Sequence, residues 1–420
     1  MKRFHYAWVI CGACTLLMIC NMGLCSNILT VYLPFVEDNG ISGSQGSAIL
    51  SIRCLFSFLS VFFVSYYYKR ISLRVGVGIA TVLGALAALL FSVSTSAAMY
   101  FAAAAVAGIA YGLGSTIPMS LLITNWFESR RGLAMGICSA GSGMATVFFS
   151  PVLTALAKHV SLRAAFLFQA LFMLLAAALL YVLLRETPAR MGLRPYGSDS
   201  SCETTVRHTG SSDLTVAGWL LMIPSILVVG GTGQASCGHL SILTTTSGYS
   251  AETAAAGASL FGLTLVLSKF LFGGIADRIG TKKTSVLFFG IFAAGCLMAL
   301  LLDGRSLLLS YLLSGVLGFG SPIFAVGVPL WASELSTAGS YERTLKWFQI
   351  LYAAGGIVFS AIPGMIGDRT GEYVSSFVLF AVVALISLAL LLLTYRLSDR
   401  ANSETAAAAH PSAGEEQLAA

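Results

Sequence analysis

The chain has 420 residues, of which 57% are hydrophobic and only 10% charged, with a mean hydropathy of +0.85. That balance excludes an ordinary soluble domain, whose solvated surface needs far more charge. The net charge of +6 falls almost wholly in short connecting loops, so it carries no implication of nucleic-acid binding.

About twelve apolar stretches are each long enough, at roughly 20 residues, to cross a bilayer as a helix. In chain order they run at about 7–36, 45–68, 73–95, 98–126, 131–157, 163–185, 215–245, 252–276, 282–302, 305–332, 341–366 and 373–396. Their apolar runs are continuous, which reads as helix and not as the short alternating strands of a membrane barrel. Met1-Lys2-Arg3 looks like the start of a signal peptide, but the run that follows is too long, so it reads as a retained first span. Cys11 and Cys14 form a C-x-x-C inside that span, where packing explains them, and the nine cysteines show no metal-ligand spacing. Neither a catalytic constellation nor a metal or cofactor site is expected.

The second span carries Arg53, about 12 Å beyond Gln45 if helical. The fourth contains Gly108-x-x-x-Gly112 and the fifth a run of small residues from Gly132 to Gly143, both natural helix-packing surfaces. After the sixth span a Gly/Ser/Thr-rich loop over 186–214 separates an N-terminal bundle, 1–185, from a C-terminal one, 215–396. The eighth span carries Lys269, eight residues before Asp277 or about 12 Å along a helix, beyond easy snorkelling reach. The tail, 397–420, is Ala-rich with Glu415-Glu416 and is expected to be a disordered segment.

Counted over the loops, Lys and Arg gather on one side: Lys2, Arg3, Lys69, Arg70, Arg74, Arg130, Arg131, Arg278, Lys282, Lys283, Arg343 and Lys346 among them, against Lys158, Arg163, Arg305 and Arg369 on the other. Both termini are therefore expected in the cytoplasm of a multi-pass cell-membrane protein. Arg53 and Lys269 belong to neither side. A charge at that depth costs several kcal/mol and faces a cavity or pathway, whereas every Asp and Glu falls in a loop, at a helix end or in the tail. The simplest neutraliser is a bound anion. Snorkelling, or bonding to backbone carbonyls of a neighbouring helix, is the competing account of each cation.

The halves look duplicated. Ser42 to Arg70 matches Ser250 to Arg278 at constant offset, and Gly112-Leu113-Gly114-Ser115 echoes Gly318-Phe319-Gly320-Ser321. After the eighth span, Gly273-Gly274-Ile275-Ala276-Asp277-Arg278-Ile279-Gly280-Thr281-Lys282-Lys283 resembles the signature loop of the major facilitator superfamily. Gly273, Asp277, Arg278 and Gly280 are its gating motif by that resemblance. The equivalent loop of the first half places Lys69 where the Asp belongs. Asn125-Trp126-Phe127-Glu128-Ser129-Arg130-Arg131-Gly132-Leu133-Ala134-Met135-Gly136 resembles the join between spans four and five in the monocarboxylate and oxalate/formate branch.

The resemblance implies an all-α membrane fold of twelve transmembrane helices in two pseudo-symmetric six-helix bundles, and alternating-access transport. Lys269 stands where monocarboxylate-type relatives carry a substrate-binding Arg, which makes it the first candidate contact, with Arg53 second. Asn27, Gln234 and His239 lie in spans that line the cavity of this fold, and Tyr352 is a candidate aromatic wall. Groups like these polar candidates more often make an interhelical hydrogen bond than a substrate contact. Span eleven lacks the second Lys of oxalate-type relatives, and Leu265 stands where proton-coupled relatives have Asp. The leading expectation is a transporter, not an enzyme, that carries a small organic anion, most simply a monocarboxylate, by uniport or antiport. The lipid bilayer and that anion are its expected partners, and the working unit is expected to be a monomer. A major facilitator exporter of another solute or drug, or a non-transporting membrane sensor, are the alternatives.

Overall fold

A computed structural model describes residues 5–29, 32, 35–36, 41, 43–198, 213–360 and 362–409. Among these, twelve helices are long and apolar enough to cross a membrane. They are α1 Ala7–Asn27, α2 Gly43–Arg70, α3 Leu73–Val93, α4 Ala97–Trp126, α5 Arg131–His159 and α6 Leu162–Leu183. The second set is α7 Val216–Thr246, α8 Ala251–Ile279, α9 Thr281–Leu301, α10 Leu307–Glu334, α11 Tyr341–Ser360 and α12 Val374–Ala409. The outward faces stay apolar, with Phe63, Leu171, Leu175 and Leu308 all exposed, as lipid requires and water does not.

Local sequence explains the helix starts. Ser72, Ser161, Thr215 and Ser250 each accept the backbone N–H three residues on, satisfying a donor that a helix start otherwise leaves bare. Three helices depart from regular form where polar or small residues sit at depth, α10 with a π segment over Ile323–Gly327. α1 winds as a π segment over Ile19–Asn27, and α4 breaks at Ser115, after Gly112-Leu113-Gly114. Such breaks survive in a membrane only where neighbouring helices cover the freed backbone groups.

The packing repeats between halves. α2 packs on α4 as α8 does on α10, α3 on α6 as α9 on α12, and α1 on α5 as α7 on α11. The glycine echo has the same role twice: a side chain at Gly112 would strike the Ser57 carbonyl of α2, and one at Gly318 the Phe261 carbonyl of α8. The cross-half contacts follow the symmetry too, with α5 against α8 and α2 against α11.

The described parts of the 186–214 segment are tied down at both ends. Tyr196 bonds to Trp126 and Glu128 through its backbone and packs its ring among Trp8, Phe127 and His5. Asp213 accepts from the backbone and hydroxyl of Thr337 at 3.0 and 2.7 Å and from the Ser340 hydroxyl. α12 continues past Arg400 to Ala409, where low complexity suggested the order would stop. Residues 410–420, the start of the Ser42 repeat and the far part of the expected first span lie outside the described residues.

Candidate functional site

Lys269 is buried, with 4% of its surface exposed. Its ammonium crosses between the halves to α5, donating to the Ser139 carbonyl at 3.1 Å and the Ser142 hydroxyl at 3.3 Å. Asn27, at the end of the π segment of α1, donates to the Ser142 carbonyl at 3.2 Å. Two helices, α8 and α1, thus converge on one turn of α5. The close approach depends on small residues, since a side chain at Gly136 would collide with the Lys269 carbonyl.

Arg53 is half-buried. Its guanidinium lies over the Tyr111 ring of α4, 5.6 Å from the centroid, and an Nη donates to the neighbouring Cys54 sulfur. Its Nε–H is buried and has no acceptor among the described residues. Tyr111 stands within electrostatic reach of Arg53 and of Tyr352 on α11, Tyr352 within reach of Cys237 on α7, and Cys237 within reach of Lys269. The two cations are therefore linked electrostatically, group by group, across five helices. No carboxylate partners either cation among the described residues. Tyr111, Ser139, Ser142 and Cys237 were not singled out from sequence, because an aromatic or small polar residue within an apolar run carries no signal of direction.

The remaining candidates, Gln234 and His239, flank Cys237 on α7. Gln234 lies on the α11 backbone at Gly356, where a Cβ would come within 2.6 Å of its amide carbon. His239 turns back to the Ala235 carbonyl at 2.9 Å and stacks on Tyr373 with centroids 6.0 Å apart.

At the motif end the two halves meet most tightly. Asp277 accepts from the backbone N–H groups of Gly132 and Leu133, both at 2.7 Å, so a carboxylate from α8 caps the positive start of α5. Gly132 and Gly273 face each other with room for hydrogen only. Arg278 ends α8 exposed to solvent, and Gly280 turns the chain at φ 88°. Arg131, which sequence places among the loop charges, is in fact buried, donating to the Phe127 and Thr124 carbonyls at 3.1 and 3.3 Å. It closes the C-terminal end of α4, where bare carbonyls attract a cation. The mirror position behaves differently. Lys69 cannot cap a positive helix start, and the approach to α11 is held by Asp213, from the segment just before α7.

A family model described as Major Facilitator Superfamily matches residues 14–232 and 222–416. The chain belongs to the Major Facilitator Superfamily. Within it, this transporter is 24% identical to monocarboxylate transporter 12 of Homo sapiens over 403 residues, covering 89% of this chain and 77% of that one. It is 25% identical to the oxalate:formate antiporter of Oxalobacter formigenes, over 66% of this chain and 65% of that one. In fold it is similar to the Escherichia coli fucose:proton symporter FucP, with a TM-score of 0.69 at 16% identity over 92% of this chain and 98% of that one. It is likewise similar to the proton:xylose symporter XylE, with a TM-score of 0.71 at 15% identity over 92% and 95% of the two chains. This superfamily member is thus a multi-pass membrane transporter of a small molecule, and the monocarboxylate and oxalate:formate proteins are its relatives.

Proposed function

We propose that this transporter carries a small organic anion, most simply a monocarboxylate, by alternating access, as a uniporter or an anion exchanger. The observation that carries the reading is the pair of cations at membrane depth, Arg53 and Lys269, neither facing a carboxylate among the described residues. An ammonium has three protons, and Lys269 directs two of them to α5. The Arg53 Nε–H has no acceptor among the described residues. A carboxylate entering between them takes up these bare donors and neutralises the charge. The names of the monocarboxylate and oxalate:formate relatives agree with the sign of that charge.

In this mechanism 1–185 and 215–396 rock about the bound anion, with the motif end and both termini on the cytoplasmic side. The state described here is closed at the motif end by Asp277 on α5, by the Gly132–Gly273 contact and by Lys269 on Ser139 and Ser142. A carboxylate that draws Lys269 away from Ser142 loosens that closure, so loading and opening are linked. Tyr352 and Tyr111 supply an aromatic wall beside the anion, and Asn27 keeps the Ser142 turn in place. Gln234 and His239 act through packing of α7. Reconstituted into proteoliposomes, Lys269→Ala is expected to lose carboxylate transport while still folding. A variant that transports carboxylates as well as the parent would remove Lys269 from the site.

A further inference from the structure

At the end opposite Asp277, α3, α4 and α6 enclose a separate cavity of about 270 Å³. Its floor is aromatic: Phe91 stacks on Phe166 at 5.2 Å, with Tyr100 6.1 Å from Phe91. Its mouth is polar and cationic. Arg163 lines it and makes no hydrogen bond, ion pair or ring contact among the described residues. Thr95 lines it too, its hydroxyl directed only to the Met99 sulfur at 3.7 Å, a weak acceptor readily exchanged for a better one. Among the described residues, no carboxylate lines this cavity.

The position says which anion fits. The cavity opens where α3 ends at Val93 and α6 begins at Leu162, the level at which apolar span gives way to lipid headgroups. Directly along the same two helices run exposed apolar side chains, Leu86, Leu89 and Val93 on α3 and Leu167, Leu171 and Leu174 on α6. Acyl chains can lie on those faces while a phosphate reaches Arg163. A soluble anion would gain nothing from that apolar continuation.

We propose that this crevice seats the phosphate of an anionic phospholipid, with Arg163 as its charge partner and Thr95 as a second donor. The test uses the full chain purified in detergent, with retention of phosphatidylglycerol and phosphatidylcholine measured by native mass spectrometry. Phosphatidylglycerol is expected to be retained over phosphatidylcholine. Arg163→Gln should lower its retention roughly fivefold, the effect of one basic residue at a membrane surface. Arg163→Lys should keep most of the retention, and Arg305→Gln at the same end should change nothing. Equal retention of phosphatidylglycerol by Arg163→Gln and parent would overturn the proposal. Displacement of the lipid by inorganic phosphate, together with phosphate binding to lipid-free protein, would also overturn it and mark a soluble-anion site.

Discussion

Lys269 and Arg53 are held in different ways, and the difference predicts different phenotypes. Lys269 is held by dipoles of α5, and no carboxylate among the described residues cancels its charge. A hydrogen bond to a charged group is worth about 1.5–3 kcal/mol, so Lys269→Gln should lower carboxylate transport by about 10- to 100-fold. Lys269→Arg should retain part of it, since charge persists while shape changes. Arg53 is positioned by the Tyr111 ring, a contact worth about 0.5–2 kcal/mol. Tyr111→Phe should therefore transport normally, and Tyr111→Leu should raise KM with little change in maximal rate. Initial-rate measurements over a substrate series separate the two. Of this site, the depth of Lys269 was legible from its spacing to Asp277, and the depth of Arg53 from Gln45. What they touch was not, because Ser139 and Ser142 become visible only when α5 crosses α8. Arg131 was misplaced for a related reason: in Arg130-Arg131 sequence gives no sign of which side chain folds inward over the end of α4.

At the scale of elements, the asymmetry between the motif loops is the informative feature. Asp277 caps α5 across the halves, whereas Lys69 cannot do the same for α11. Removing a helix cap costs about 0.5–2 kcal/mol. Asp277→Ala should shift the population away from closure at the motif end, read as longer distances between spin labels placed at that end of α5 and α8. An unchanged distance distribution would separate Asp277 from gating. Asp213 sits outside the spans, and the Ser340 hydroxyl first, then the Thr337 N–H and hydroxyl, hold its carboxyl below the usual carboxylate range. A lowered native value means that its contribution is present above the unfolded value of about 3.9 and is lost as pH falls through the native one. The difference in melting temperature between parent and Asp213→Asn should therefore persist at neutral pH and shrink in acid below about pH 4. A difference independent of pH would contradict the carboxylate's role. The Lys69 departure was plain in the sequence, but its replacement by Asp213 was not. That contact joins residues 124 positions apart through hydroxyls with no pattern of their own.

For the whole molecule, twelve spans and their duplication were readable because lipid imposes length and continuity on every crossing helix. The pairing of α2 with α4 and α8 with α10 realises in space the offset seen between the two halves. The π segment of α1 and the break of α4 at Ser115 were not readable, since both depend on cover from neighbouring helices. The same architecture holds sugar–proton symporters, so fold leaves the cargo open and the site decides it. The sign of the uncompensated charge is the account's central claim. Its most direct test is counterflow into proteoliposomes holding the purified transporter and an unlabelled carboxylate, with labelled mono- and dicarboxylates, neutral amino acids and organic cations offered in turn. The account predicts accumulation of a monocarboxylate that is lowered by about 10- to 100-fold in Lys269→Gln. Accumulation of a cation, with every carboxylate excluded, would contradict it.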